Sequence, residues 1–228
     1  MRLDKFVLKS TLFTKAQVID QISLGNIRVN GVVNTDMTSQ VHENNLIQLN
    51  GQTLTTRPFR YMLMHKQADT ICSNADGHYP SLLNSIDVAH KDELHIAGRL
   101  DADTTGLVLI TDDGRWSYNI TRPECVCRKV YRVQLAKPIN HDAIDLFKIG
   151  LLLQGESKPT LPAELVIMSD TEVLLSITEG RYHQVKRMFF AIGNRVNGLH
   201  RQQVGEVMLD MPVGQWRDLT ADEVSSFQ

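Results

Sequence analysis

At 228 residues, 42% of them hydrophobic, the chain is long enough to bury one good core with a small second domain beside it. Its formal net charge of −2 and pI of about 6.4 exclude a globally basic nucleic-acid binder, so any basic surface must be local. Cys72, Cys125 and Cys127 are odd in number and form no paired C-x-x-C, which argues against a disulfide framework and a structural zinc site and fits a reducing compartment. Charges spread through "MRLDKFVLKS", and the lack of any long apolar run, predict a cytoplasmic chain with neither a secretory leader nor a membrane span.

In chain order, Leu3, Phe6 and Val7 share one face of a short helix. "TKAQVIDQISLG" predicts a second helix: Thr14 and Gln17 make a capping-box pair, Ile19 and Ile22 line a face, and Gly25 stands where a C-terminal cap belongs. The period then changes to alternation. Asn30-Gly31 in "IRVNGVV" and Asn50-Gly51 in "LIQLNGQTL" predict two hairpins. Arg2, Lys5, Lys9, Lys15 and Arg28 gather in this stretch with only Asp4 and Asp20 nearby in sequence; a solvated face is the commoner meaning of such a cluster. "TTRPFR" is polar, holds Pro58 and precedes a fresh apolar run, so the predicted organisation is a domain at 1–56, a linker at 57–60 and a larger domain at 61–228.

The larger domain opens with the strand "YMLMHK", and Ser81 begins a helix. Leu107 to Thr111 and Val130 to Leu135 read as strands, Asn140 caps a helix running towards Gly150, and strands near Leu165 and Leu174 flank a Ser169-Asp170 turn. Val185, Met188, Phe189 and Ile192 mark the buried face of a helix that Gly193 ends. No regular βαβ alternation is present, which predicts an α+β fold with a mixed, mainly antiparallel sheet.

The densest chemical signal is "GRLDADTTGLVLITDDG". Asp101-Ala-Asp103-Thr-Thr105 fits the D-x-D-x-T of aspartate phosphotransferases, but those need an apolar strand leading in, and here "HIAGRL" is broken by Gly98 and Arg99. A calcium loop fails too, because Leu109 and Ile110 fall where polar ligands belong and the last acid is Asp112 rather than Glu. What remains is an Asp-bearing loop entering a core strand that Asp112-Asp113-Gly114 stops. Arg181, His183, Lys186 and Arg187 crowd the first turns of the later helix, where the free N–H groups and the dipole already favour an anion.

Two resemblances join these pieces. Ala16, Ile19 or Asp20, Gly25, Ile27, Val29, Asn30 and Gly31 resemble the S4 RNA-binding domain, with Lys15 where that family usually has Arg. Arg99-Leu100-Asp101 with Thr105-Gly106-Leu107, Lys129-Val130-Tyr131, and Gly180-Arg181-Tyr182-His183-Gln184-Val185-Lys186-Arg187-Met188 together resemble the pseudouridine synthases of the RsuA family, essentially end to end.

The resemblance implies isomerisation of a uridine in 16S ribosomal RNA, free or in a partly assembled small subunit, by a monomer that flips the base out. The reaction adds no atoms, so it implies no cofactor and no metal. The implied catalytic residues are Asp101 as nucleophile, Tyr131, and Lys186 as the cation that keeps Asp101 ionised, with Arg181 or Arg187 as further cations that share this work. Arg99, Lys129, Arg181, His183, Gln184 and Arg187 are the implied substrate-binding set, and Arg2, Lys5, Lys9, Lys15 and Arg28 the RNA-binding residues of the S4-like module. Asp103 is expected to be a solvated loop residue. Whether Asp101 attacks C1′, adds to C6 or takes a C2′ proton stays open. The competing readings are a large-subunit synthase, a non-catalytic ribosome-assembly factor and, more distantly, the phosphotransferase.

Overall fold

The computed structural model describes residues 1–42 and 44–227, with every side chain among them except that of Pro123. It divides into two compact units, Met1–Pro58 and Phe59–Gln228.

In the first unit, helices α1 (Leu3–Ser10) and α2 (Lys15–Ser23) precede four short strands: β1 (Ile27–Val29), β2 (Val32–Val33), β3 (Ile47–Leu49) and β4 (Gln52–Thr53). The strands pair antiparallel in the order β2-β1-β3-β4. Thr14 and Gln17 close the capping box that starts α2. At each hairpin both turn residues have positive φ, Asn30 with Gly31 and Asn50 with Gly51, as the right-handed twist of the flanking strands requires. Leu3, Val7, Val18, Ile22, Ile27 and Ile47 form the core. Two expectations need correcting. The buried pair on α2 is Val18 and Ile22, one turn apart, whereas Ile19 points outward. Lys9 is buried, which sets it apart from Lys5, Lys15 and Arg28, each of them exposed.

The second unit is built on a 9-stranded sheet. Its elements follow as β5 (Tyr61–Lys66), β6 (His95–Ala97), β7 (Thr105–Thr111), α3 (Gly114–Thr121), β8 (Lys129–Leu135), α4 (Ala143–Ile149), β9 (Glu164–Ser169), β10 (Glu172–Ile177), α5 (Gln184–Ala191), β11 (Val196–Val204), β12 (Val207–Met208), β13 (Trp216–Asp218) and α6 (Ala221–Ser225). The main order is β13-β5-β7-β11-β8-β10-β9, with β12 on β11 and β6 on β7. Among the described strands of this sheet only the β7–β11 pairing is parallel, so the sheet is mixed and mainly antiparallel.

Strand alternation sends successive residues to opposite faces and gives two cores. Met62, Met64, Val108, Ile110 and Val133 pack on one side with α4 and α5; Leu63, Leu107 and Leu109 pack on the other with Trp116 of α3. Strand β7 is buried almost throughout, which explains its unbroken apolar run.

Three local expectations change. Ser81 caps only a single 3₁₀ turn, Leu82–Ser85. Asn140 makes a turn to Asp142 N, and Asp142 rather than Asn140 occupies the cap position of α4. Asp113 does more than stop β7, since its carboxylate accepts from the N–H groups of Arg115 and Trp116 and starts α3.

Candidate active site

One edge of β7 is shared between two strands: β6 pairs with Leu109 to Thr111, and β11 takes over at Thr105 and Gly106. The chain leaves the sheet at this handover and forms the loop 98–104, with Asp101 in it. Gly106 permits the parallel approach of β11, because a Cβ there would stand 2.2 Å from the carbonyl oxygen of Arg201, and its φ is +114°.

Two buried cations hold this loop by its carbonyls. Lys66, fully buried at the end of β5, donates to the carbonyls of Gln67, Ala102 and Thr104 at 3.1, 3.0 and 2.8 Å. Arg201 of β11, 1% exposed, donates from Nε to Leu107 O and from a terminal nitrogen to Gly98 O, both at 2.8 Å. Three ammonium hydrogens meeting three carbonyls compensate the lost hydration of Lys66. Burial still holds that ammonium below its ordinary pKa, an effect that the charges of Cys72, Asp103 and Asp101 oppose. Sequence reading missed both residues. A lysine closing an apolar strand was the available signal for Lys66; Arg201 lies in "VNGLHRQQV", whose strand period is masked by polar residues on both faces.

Asp101 is approached from α5. Lys186 Nζ lies 3.1 Å from its Oδ2, and His183 Nε2 lies 3.3 Å from its Oδ1. Lys186 also donates to both oxygens of Asp103, at 2.7 and 2.9 Å. Asp103 is therefore more than a solvated loop residue: although its side chain is 70% exposed, it is the nearer partner of Lys186. Burial works against the charge on Lys186, but the bonds to Asp103 and Asp101 outweigh it and hold the ammonium above its usual pKa. For Asp103, burial is likewise outweighed by Lys186, and its carboxyl sits below the ordinary range.

Neither Arg181, just before this helix, nor Arg187, within it, is paired with Asp101. Arg181 is spent on the carbonyls of Lys158 and Pro159 and on Glu179, and Arg187 on the carbonyls of Tyr182 and Gln154 and on Glu156. Gln184, 4% exposed, donates to Glu179 and accepts from Arg181 N. These three brace the turn that presents His183 and Lys186, and neither arginine is placed to share the role expected of Lys186.

A cleft of about 780 Å³ opens over this loop. Tyr131, 7% exposed, lines it from β8, directly opposite Arg201 in the strand pairing. Lys129 lines the same cleft and donates to Cys127 O at 2.9 Å. Burial, aided by the charge of Arg201, holds its ammonium below the ordinary value. Arg99 is exposed at the rim. Arg99, Lys129, Arg181, Lys186 and Arg201 line the cleft against one lining carboxylate, Asp101, so a nearly neutral chain concentrates positive charge here. Such a cleft suits a polyanion. Among the described residues no group of three or more His, Cys, Asp or Glu is placed to hold a metal ion.

Comparison with known proteins agrees with this chemistry. Residues 60–191 match the model of the RNA pseudouridylate synthase family. The chain is 45% identical to the ribosomal small subunit pseudouridine synthase A of Vibrio cholerae serotype O1, over 99% of each chain, and 43% identical to that of Haemophilus influenzae, over 98% of each. A crystal structure of a pseudouridylate synthase superposes with a TM-score of 0.74 at 41% identity, covering 100% of both chains. With more than half of the chain matched by the family model and full-length relatives at this identity, the chain belongs to the RNA pseudouridylate synthases.

Proposed function

We propose that the protein isomerises one uridine of 16S ribosomal RNA to pseudouridine, acting in the cytoplasm on the small subunit or its assembly intermediates. The observation that carries this is the Asp101 carboxylate held between Lys186 and His183 in a cleft that Tyr131, Arg99 and Lys129 also line. The names of the full-length relatives favour the small subunit over the large one.

In the reaction the N1–C1′ bond breaks, the uracil turns in the pocket, C5 bonds to C1′, the C5 proton leaves to solvent, and N1 takes up a proton in its place. Asp101 is the nucleophile. Lys186 keeps it ionised in a pocket that becomes drier when RNA closes over it. Tyr131 stacks on the detached uracil, and its hydroxyl helps remove the C5 proton. Arg99 and Lys129 stabilise negative charge on the departing base or on the neighbouring phosphates, while buried Arg201 holds the Asp101 loop through the carbonyls of Gly98 and Leu107. The N-terminal unit, read as an S4-like module, adds phosphate contacts through exposed Arg2, Lys5, Lys15 and Arg28, so binding weakens steeply with salt.

The test is tritium release from 5-tritiated uridine in 16S and 23S transcripts and in a partly assembled small-subunit particle, with EDTA present. Release from 16S RNA or the particle by wild type, and none by Asp101→Asn, is the expected result. Release from 23S RNA alone overturns the choice of subunit. No release from any of the three overturns the assignment and favours a binding role in assembly.

A further inference from the structure

Tyr182 is a large aromatic side chain that is 76% exposed on the rim of the catalytic cleft. One face of its ring is covered: it stacks on His183, with centroids 3.8 Å apart and planes 22° from parallel. His183 in turn places Nε2 3.3 Å from Asp101 Oδ1.

The segment carrying the pair is held unusually firmly for an exposed turn. Arg187 donates to Tyr182 O at 3.1 Å, Gln184 accepts from Arg181 N at 2.8 Å, and Arg181 ties the turn to Lys158 and Pro159. His183 sits in the left-handed region, φ 48° and ψ 34°, which costs a non-glycine residue free energy and persists only where the surroundings impose it. An exposed tyrosine free to choose would fold onto the protein. This one stays exposed, one face backed by His183 and the other open, next in sequence to the imidazole that reaches Asp101.

We propose that the open face of Tyr182 is a stacking platform for the base next to the target uridine in the RNA strand. When the uridine enters the cleft to reach Asp101, its own base is inside and beyond the platform. The neighbouring base has lost its stacking partner at that moment, and an aromatic face at the rim replaces it. Stacking needs a π face and no particular hydrogen-bond pattern, so the platform recognises a displaced base without reading its identity. The inference rests on the proposed RNA uridine isomerisation.

The experiment compares wild type, Tyr182→Phe and Tyr182→Leu. Two RNA substrates carry 2-aminopurine immediately 5′ or 3′ of the target uridine, and two carry an abasic residue at those positions. On unmodified RNA, Tyr182→Leu is expected to raise KM about tenfold with kcat within about twofold, and Tyr182→Phe to restore KM. One of the two 2-aminopurine labels is quenched on binding wild type and Tyr182→Phe, and much less on binding Tyr182→Leu. An abasic residue at that same position raises the wild-type KM about tenfold and adds nothing in Tyr182→Leu.

Unchanged KM and quenching in Tyr182→Leu overturn the platform. So does a loss confined to kcat, which would mean that Tyr182 acts only by holding His183 against Asp101. Full additivity of the abasic and leucine effects also overturns it. The quenching needs only binding, so failure of the catalytic assignment and failure of the platform give different results.

Discussion

Lys186 Nζ lies 2.7 Å from Oδ1 of Asp103, closer than the 3.1 Å that separates it from Asp101. The cation proposed to keep Asp101 ionised is thus anchored first on its neighbour. An exposed pair of this kind contributes at most about 1 kcal/mol, or roughly fivefold in a rate that depends on it. Asp103→Asn should therefore lower kcat by no more than about fivefold. Lys186→Met removes the charge beside Asp101 itself and should cost about a hundredfold or more, with Lys186→Arg in between. Single-turnover tritium release measures all three. A loss in Asp103→Asn as large as in Asp101→Asn would reverse the roles given to the two carboxylates.

Lys66 serves the same loop from below, through three backbone carbonyls and no carboxylate. Lys66→Met keeps most of the volume and strips the donors. Carbonyls left unsatisfied in a buried site cost roughly 2 kcal/mol together, which for a unit of this size lowers Tm by about 4–8 °C. The loop around Asp101 should loosen as well, so kcat falls while RNA affinity stays within about threefold. A variant that melts early but turns over normally would show that Lys66 supports the sheet and not the geometry of Asp101.

Much of this site was legible before any coordinates, for physical reasons. The strand at Leu107 to Thr111 announced itself because it is buried on both faces, and the helix with Val185, Met188 and Phe189 because one face is buried and the other wet. Asp101, Tyr131 and Lys186 were found through sequence motifs, and the structure brings all three to one cleft. Strand β11 was not legible: its burial varies residue by residue, its only fully buried charge is Arg201, and it joins β7 and β8 through pairings distant in sequence. Helix α3 hid behind a stop signal, because Asp113 ends one element and caps the next. Arg181 and Arg187, at the start of α5, misled in a different way. Charge at a helix N-terminus suggests a ligand, but a guanidinium can equally be consumed by nearby carbonyls, and only geometry separates the two.

The C-terminal segment offers a pH test. Arg217 grips Glu223 with two bonds of 2.7 Å, and Glu223 also closes the capping box of α6. The Arg217 bonds, opposed by burial and helped by Thr220, hold the Glu223 carboxyl below its ordinary value of 4.5. A folded pKa below the unfolded one means that the unfolded chain binds the proton first. The stabilisation is therefore present above pH 4.5 and is lost as pH falls through the folded value. Wild type should melt above Glu223→Gln at pH 7, and the gap should shrink as pH drops below 4.5. Thermal melts of the two proteins across that range cancel the contribution of other carboxylates; a gap independent of pH would mean that the pair does not form.

Gly106 links the sheet to the site most directly. A Cβ added there would meet Arg201 O at 2.2 Å and Arg201 N at 2.6 Å, both backbone atoms that cannot rotate away, and φ of +114° is foreign to an L side chain. Strands β7 and β11 would have to part, and Arg201 would withdraw from the carbonyls of Gly98 and Leu107 that frame the Asp101 loop. Gly106→Ala should thus cost roughly 3 kcal/mol or more from strain and overpacking, lower Tm by about 10 °C, and abolish most activity in the folded fraction. Gly114→Ala is the control, since a Cβ at Gly114 meets nothing within 4 Å, and its Tm should stay within about 2 °C of wild type. If Gly106→Ala melts near wild type and still releases tritium, the close approach of β7 and β11 is not what holds Asp101 in place.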